Sequence, residues 1–467
     1  MKSTIRSKFI GDRNFYRYTI RIMLPIVIQN GITQFVNLLD NLMVGQIGTE
    51  PMTGVSISNQ LIFVFTLCIF GAVSGAGIFG AQFAGKADHD GMRSVFRFKV
   101  LMAIIISAVG LFLFITFPEQ LISLYLKGEG EVANIEAALS YGKEYLAIMT
   151  VGLIPFAFVQ VYSSSLREFG ETLIPMKAGV AAILTNLVGN YILIFGKFGA
   201  PALGAAGAAI ATVISRFVEV GIVAIYAHSH TDRFRFIKGA YRTLRIPADL
   251  FRRICKKGSP ILINEMMWSL GMTTLVQCYS LYSYDVMAAV NISQTIGRLF
   301  DVVMMAFGSA IAIIVGQILG TGDMEKARDT DTKLIAFSVS FSFVTAILMA
   351  LLSPLIASIY NVTPAVHSLA VAFLRIVALT SPIRAFIHTC YFTLRSGGKT
   401  FVTLLFDSVF VWVVAVSTAY CLTHFTQLHI IPIFVTIQLL DLIKCVTGFI
   451  LVKRGVWLRN IVNRDAE

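Results

Sequence analysis

Apolar runs of about 20 residues, each closed by a short polar turn, recur along the whole chain. A helix of that length spans a hydrocarbon core of roughly 30 Å. The runs predict twelve membrane-crossing helices, at about 18–44, 54–83, 95–117, 140–163, 172–195, 202–227, 258–283, 287–318, 333–356, 366–392, 401–423 and 429–452. An even number places both termini on one side. The basic N-terminus runs straight into the first apolar stretch without a small-residue cleavage site, so it reads as a first transmembrane helix rather than a removed signal peptide.

The pattern repeats. Beginning at Pro25, a copy returns 235 residues later without a gap: Pro25 pairs with Pro260, Ile57-Ser58 with Ile292-Ser293, Gln82 with Gln317, Gly85 with Gly320 and Asp88 with Asp323. Leu166-Arg167 and Gly170-x-Thr172 recur as Leu394-Arg395 and Gly398-x-Thr400. Six spans per half is an even number, so the halves enter the membrane in the same orientation. The fold class expected is an all-α polytopic membrane protein: two six-helix bundles related by a pseudo-twofold axis along the membrane normal, with a cleft between them. The corresponding domains are residues 1–227, a basic linker 228–257, and 258–467. Small residues (Gly71, Ser74, Gly75, Ala76, Gly77 and Gly80 in span two; Gly204, Ala205, Ala206, Gly207 and Ala208 in span six) predict close helix packing.

Composition agrees. Of 467 residues 56% are hydrophobic and 14% charged, against roughly 25% charged in soluble domains. Basic residues cluster in the N-terminal arm, in the loop after span two (Lys86, Arg93, Arg97, Lys99), in the linker and in the tail, while the loop after span three holds Glu119, Glu129 and Glu131. The excess of Lys and Arg marks the cytoplasmic side, so both termini and the linker are expected there and the Glu119–Glu136 region outside. The same bias accounts for most of the formal charge of +12. No nucleic-acid partner is implied, and the basic loops suit anionic headgroups. Pro247–Lys257 alternates apolar and basic residues at helical spacing and predicts a short interfacial helix ahead of span seven. The six cysteines lie scattered, mostly in apolar runs, and read as small hydrophobes.

No nucleotide site is present. Gly398-Lys399-Thr400 imitates the end of a phosphate-binding loop, but Thr393 stands where its first glycine is needed, and a turn before a helix is the better reading. The informative residues are ionisable ones in apolar spans, each costing at least ~2.5 kcal/mol at mid-membrane. Arg298 with Asp301, and Asp441 with Lys444, are three apart and expected to neutralise each other. Arg384 and Asp407 lie on neighbouring spans and are candidates for a further pair. Asp40 and Glu265 have no local cation; each must carry a proton, meet a distant partner or bind an ion. Asn186 and Asn190, four apart, share one helix face. Beside a carboxylate their amides would hold Na⁺ or steady a carboxylic acid.

Taken in order, Pro25 to Asp40 with Val44-Gly45-x-x-Gly48, Gly80-x-Gln82-x-x-Gly85-x-x-Asp88, Leu166-Arg167-x-x-Gly170-x-Thr172 and Gly204-x-x-Gly207-Ala208-Ala209-x-Ala211-Thr212 resemble the multidrug and toxic compound extrusion (MATE) family over essentially the whole chain. The resemblance implies efflux of organic, often cationic, small molecules in exchange for H⁺ or Na⁺. It implies that Asp40 and Asn186 belong to the coupling site, that Asn190 stands where many members have a second Asp, and that Thr212 is a further ligand. If the ion is Na⁺, Asp40, Asn186 and Asn190 would hold it. Glu265 lies about one turn from the family's C-terminal cation-site Glu, where this sequence has Trp268. Asp301, Asp407 and Arg384 are secondary candidates. No enzymatic activity and no cofactor beyond the coupling ion are expected, and the protein is expected to be a monomer in the bacterial inner membrane. The rivals are a lipid-linked saccharide flippase of the same superfamily, disfavoured because the unpaired intramembrane charges lean acidic, and a membrane-embedded sensor, which gives no reason for the duplication.

Overall fold

The computed structural model describes residues 8–125, 132–360 and 362–463; the side chains of residues 37, 38, 40–42 and 132–134 lie outside the description too. Expectations resting on Lys127, Glu129, Glu131 or the Asp40 side chain therefore fall on residues outside it. The described residues are helical and turn-linked: α1 (Arg13–Gly45), α2 (Thr49–Gly85), α3 (His89–Thr116), α4 (Val132–Val151), α5 (Leu153–Glu168), α6 (Leu173–Phe195), α7 (Gly204–Ser229), α8 (Ala248–Ser280), α9 (Tyr284–Thr321), α10 (Met324–Ser358), α11 (Pro364–Ser396), α12 (Thr400–Phe425), α13 (Ile430–Leu439) and α14 (Asp441–Lys453). Among them nine segments are long and apolar enough to cross a membrane, counting α13–α14 as one, and α4–α5, bent by 45° at Gly152, makes a tenth. The other two long helices interrupt their apolar runs with polar residues, α1 with Gln29, Asn30, Gln34, Asn37 and Asp40 and α8 with Asn264 and Glu265. Polar side chains thus concentrate on the helix that opens each half.

The duplicated positions have physical reasons. Asp88 caps α3 by accepting from Gly91 N (2.8 Å), and Asp323 caps α10 by accepting from Lys326 N (2.9 Å), each satisfying a free amide of a helix start. Gly170 and Gly398 take φ of 79° and 72°, the left-handed region in which glycine pays no Cβ penalty. Lys399 N closes back on Leu394 O (3.1 Å) and Glu171 N on Leu166 O (3.0 Å). Gly398-Lys399-Thr400 is therefore a helix-terminating turn.

By contacts the chain forms two compact units. One comprises residues 28–80 and 87–255, the other residues 1–27, 81–86 and 256–467. Helices α1 and α2 each pass from one unit to the other, at Val27/Ile28 and Gly80/Ala81.

In the first unit α6 packs along α7, and α3 against α5. The linker is not a solvated tether. Phe234, Phe236 and Ile237 are buried, and Phe236 stacks on Phe169. Arg97 donates to the carbonyls of Gly239, Ala240 and Arg245, and Arg93 to that of Arg235. Two cations counted from sequence as loop charge thus clamp the linker to the unit. The linker's predicted short helix is the start of α8, which runs unbroken from Ala248 through Pro260.

In the second unit α11 lies against α9, α10 and α14. One apolar cluster joins Ile22, Met23 and Ile26 of α1 to Phe307, Ile311 and Ile314 of α9 and to Trp457; another joins Tyr279, Val290, Phe373, Leu374 and Phe434.

Candidate functional site

Among the described residues, three groups of polar side chains inside the helices stand out. The first lies where α6 meets α7. A Cβ on Gly207 would stand 2.5 Å from the Leu193 carbonyl oxygen, and one on Gly189 would stand 2.9 Å from Ala211 Cβ, so both glycines are needed for the helices to come this close. That approach brings Asn186 Nδ2 to Thr212 Oγ1 (3.0 Å), while Asn190 Nδ2 donates to Asn186 Oδ1 (3.2 Å) along α6. Thr212 turns its own proton to the Ala208 carbonyl (2.9 Å). Both asparagines are buried. Three of the site residues expected from sequence are therefore brought together. Asp40 is a helical residue of α1 whose side chain lies outside the described residues.

The second group spans α8, α11, α12 and α14. Lys444 Nζ pairs with Asp407 Oδ1 at 2.7 Å. Asn264 Nδ2 donates to Asp407 Oδ2 and to Tyr391 OH (3.2 Å each), and Ser408 Oγ donates to Asn264 Oδ1 (2.7 Å). Tyr391 OH reaches Glu265 Oε1 at 3.5 Å, and Arg395 Nη1 lies 4.0 Å from the same oxygen. The Lys444 ammonium faces the rings of Phe406 and Phe410 at 5.4 and 5.7 Å, an arrangement that favours a cation. Asp407 and Ser408 belong to a π-helical turn, Leu405–Val409, and a second such stretch follows at Val411–Val416. The wider turn alters the register of α12 around the very residues that meet Asn264 and Lys444.

Here the structure corrects the sequence. Lys444 pairs with Asp407, not with Asp441 on its own helix. Asp301 pairs across helices with Arg384 at 3.6 Å, not along α9 with Arg298. The expected Arg384–Asp407 pair accordingly does not form. Glu265, without a local cation in sequence, meets Arg395 from α11. The reason is common to all four: packed helices put side chains of distant sequence closer than the i, i+3 neighbours on one helix. Two carboxylates, Glu265 and Asp407, are thereby matched by two cations, Arg395 and Lys444, so the acidic lean inferred from sequence does not hold in this group.

The third group was missed. Lys99, counted from sequence as loop charge, is wholly buried and pairs with Glu168 Oε1 at 2.6 Å, with Ser164 and Ser165 hydroxyls at 3.0 and 3.2 Å. A Cβ on Gly80 would overlap the Glu168 carboxylate, and one on Gly77 would stand 2.8 Å from it, so α2 is notched to receive the pair. The sequence signals were Ser163-Ser164-Ser165, which sequence reasoning did not single out, and the glycines of α2, which predict close packing.

A duplicated set of membrane helices with buried amide, carboxyl and ammonium groups is an architecture that suits a membrane transporter. The chain belongs to the MatE family, whose model matches it once in each half, over residues 25–192 and 260–421. It is 26% identical over 416 residues to a probable multidrug resistance protein NorM of Thermotoga maritima, covering 88% of this chain and 86% of that one. It is 25% identical over 417 residues to a protein of the same description from Halalkalibacterium halodurans, covering 87% of each. Among solved structures, the outward-facing conformation of a multidrug resistance MATE family transporter of the MOP superfamily matches with a TM-score of 0.85 at 19% identity, over 98% of this chain and 99% of that one. A MOP superfamily transporter from Pyrococcus furiosus matches with a TM-score of 0.82 over the same shares. At that identity the likeness establishes the two-lobed fold.

Proposed function

We infer that this transporter exports organic, often cationic, small molecules by alternating access, in exchange for H⁺ or Na⁺. The relatives described as multidrug resistance proteins support the cargo class. The observation that carries the coupling is the cluster of Asn186, Asn190 and Thr212, which sets amide and hydroxyl oxygens in an otherwise apolar region. The coupling ion would be held by Asp40 together with these oxygens. Loading it neutralises the site and releases a cationic drug outward; release of the ion inward restores the charge. In the C-terminal group Glu265, Asp407, Asp301 and Arg384 are already engaged in ion pairs. We assign them the structural role of holding α8, α9, α11, α12 and α14 together. The basic bias supports a cytoplasmic side for both termini and the linker, in a bacterial inner membrane.

The test is efflux from liposomes under separately imposed pH and Na⁺ gradients. Asn186→Leu, which removes the amide shared with Thr212 and Asn190, is expected to abolish gradient-driven uphill efflux. Unchanged uphill efflux by that variant would remove the cluster from the coupling site.

A further inference from the structure

Residues 457–463 cross the ends of three helices, and several of their contacts converge on one side chain. Gln82, near the end of α2, is fully buried. Its amide nitrogen donates to the carbonyls of Ser396 (3.0 Å) and Arg459 (3.2 Å), and its amide oxygen accepts from Ile461 N (2.8 Å). One glutamine thus ties α2 to the end of α11 and, at both ends of its amide, to the tail. The tail is fastened further. Asn460 Nδ2 donates to the Gly320 carbonyl of α9 (3.0 Å), while its Oδ1 accepts from Val462 N and Asn463 N (3.1 Å each) and folds the tail back on itself. Lys86 Nζ, one turn beyond Gln82, reaches Asn463 Oδ1 at 2.8 Å. Trp457, buried with its indole donating to Val452 O (3.1 Å), anchors the start of the segment, and its carbonyl lies where a Cβ on Gly397 would have to be.

Beneath this segment the ends of α2 and α9 touch backbone to backbone. A Cβ on Gly85 would overlap the Gln317 carbonyl, and a Cβ on Gly320 would overlap that of Gln82. Gly85 and Gly320 are the same position in the two repeats, as are Gln82 and Gln317, so the contact is reciprocal. The tail is not duplicated. It adds its hydrogen bonds to the first copy's glutamine, whereas Gln317 accepts from Tyr18 OH at 3.4 Å.

We propose that residues 457–463 are a strap that fastens the end of α2 to the ends of α9 and α11, and that transport requires its release in every cycle. This rests on the alternating-access reading above. The hydrogen bonds named above are made by residues 81–86, the ends of α9 and α11 and the tail, which belong to one compact unit, while α2 continues into the other unit from Gly80 backwards. Any separation of α2 from α9 at this end must break the three Gln82 hydrogen bonds and the Lys86–Asn463 bond. Within lipid no hydrophobic drive holds the two ends together, so cohesion comes from the van der Waals contact at the glycines and from hydrogen bonds, of which the strap provides a set. The strap therefore supplies the directional hold on the closed arrangement of this end.

Two measurements test it. The first reads the strap without transport: Gln82→Met keeps the side-chain volume and removes all three hydrogen bonds. Hydrogen exchange of segments 81–86 and 458–463 is expected to speed up together by roughly tenfold or more, each net hydrogen bond being worth up to about a factor of ten, with α6 unaffected. If the tail loosens while 81–86 stays protected, the tail does not hold α2 and the proposal fails. The second uses Lys86→Cys/Asn463→Cys in a background lacking the six native cysteines, joined by a short reducible crosslinker. The uncrosslinked protein is expected to export drug and the crosslinked one to lose export at least tenfold while still binding drug, with recovery on reduction. Export at the uncrosslinked rate would overturn the release requirement. Failure of the uncrosslinked and parent proteins alike to export would count against the transport reading instead, and the exchange measurement would still decide whether the strap exists.

Discussion

Lys99 shows how burial changes a residue's meaning. Its ammonium has no exposed surface and is satisfied by Glu168, Ser164 and Ser165. Removing one partner of a buried ion pair leaves the other desolvated and unmatched, which costs ~3–5 kcal/mol. Lys99→Met is therefore expected to lower the thermal unfolding temperature in detergent sharply. Lys99→Met/Glu168→Gln, which removes both charges, is expected to recover much of the loss, and a double variant as unstable as the single one would show that the charges are not the issue. The same logic applies to Lys444, whose loss strands Asp407. Lys444→Met is expected to be strongly destabilising and to be relieved by adding Asp407→Asn, which keeps an oxygen for Asn264; calorimetry of the two variants checks it. At this scale the sequence was legible only where partners are close along one helix. The spacing of Asn186 and Asn190 put both on one face of α6, and the structure joins them. The Lys99–Glu168 pair spans 69 residues and the Lys444–Asp407 pair 37, distances at which neither periodicity nor local charge pattern carries information.

Helices rather than single residues set where the Asn186–Thr212 bond can form, because two backbones must approach across glycine. Gly207→Ala places a methyl group 2.5 Å from the Leu193 carbonyl, so α6 and α7 must part. The expected result is a lower unfolding temperature together with loss of coupled efflux, as Asn186 and Thr212 separate. Gly221→Ala, on the same α7 with nothing within 4 Å of the added methyl, is the control. It is expected to be neutral or stabilising by about 0.5–1 kcal/mol, through the better helix propensity of alanine. Equal effects of the two substitutions on unfolding would refute the packing argument. Element boundaries were legible at the glycine turns, where spans expected from 172 and 401 begin at Leu173 and Thr400, but not at the caps Asp88 and Asp323, where the helices begin at His89 and Met324, well ahead of the starts expected at 95 and 333. Nor were they legible at the 45° bend at Gly152 or in the π turns around Asp407, since both arise from what the helix packs against. The linker shows the same limit. From sequence it is a basic loop suited to anionic headgroups, and only the fold reveals that Phe234, Phe236 and Ile237 are buried and that Arg93 and Arg97 bind its carbonyls.

At the scale of the whole molecule, the duplication gives each half a polar first helix, yet only one of the two carries a carboxylate at the position of Asp40; the second half has Leu275 there. The C-terminal carboxylates Glu265 and Asp407 have cationic partners, and a carboxylate already neutralised by an ammonium or guanidinium is a poor ion-loading site. This asymmetry makes Asp40 the residue on which gradient-driven export should depend. In one-for-one exchange of H⁺ or Na⁺ for a singly charged drug no net charge crosses, so the drive is the ion's concentration gradient: each factor of ten is worth ~1.4 kcal/mol, or about tenfold in drug concentration. Asp40→Asn preserves the shape of the side chain and a carbonyl oxygen but can neither be discharged by a proton nor offer a full negative charge to Na⁺. The variant is expected to keep measurable drug binding and to lose uphill efflux from liposomes under both kinds of gradient. Glu265→Gln, by contrast, is expected to lower the unfolding temperature through the unmatched Arg395 and to retain gradient-driven efflux at a temperature where it remains folded. Should Asp40→Asn export drug uphill at the parent rate while Glu265→Gln does not, the assignments are reversed, and coupling resides in the chain of groups from Lys444 through Asn264 to Glu265.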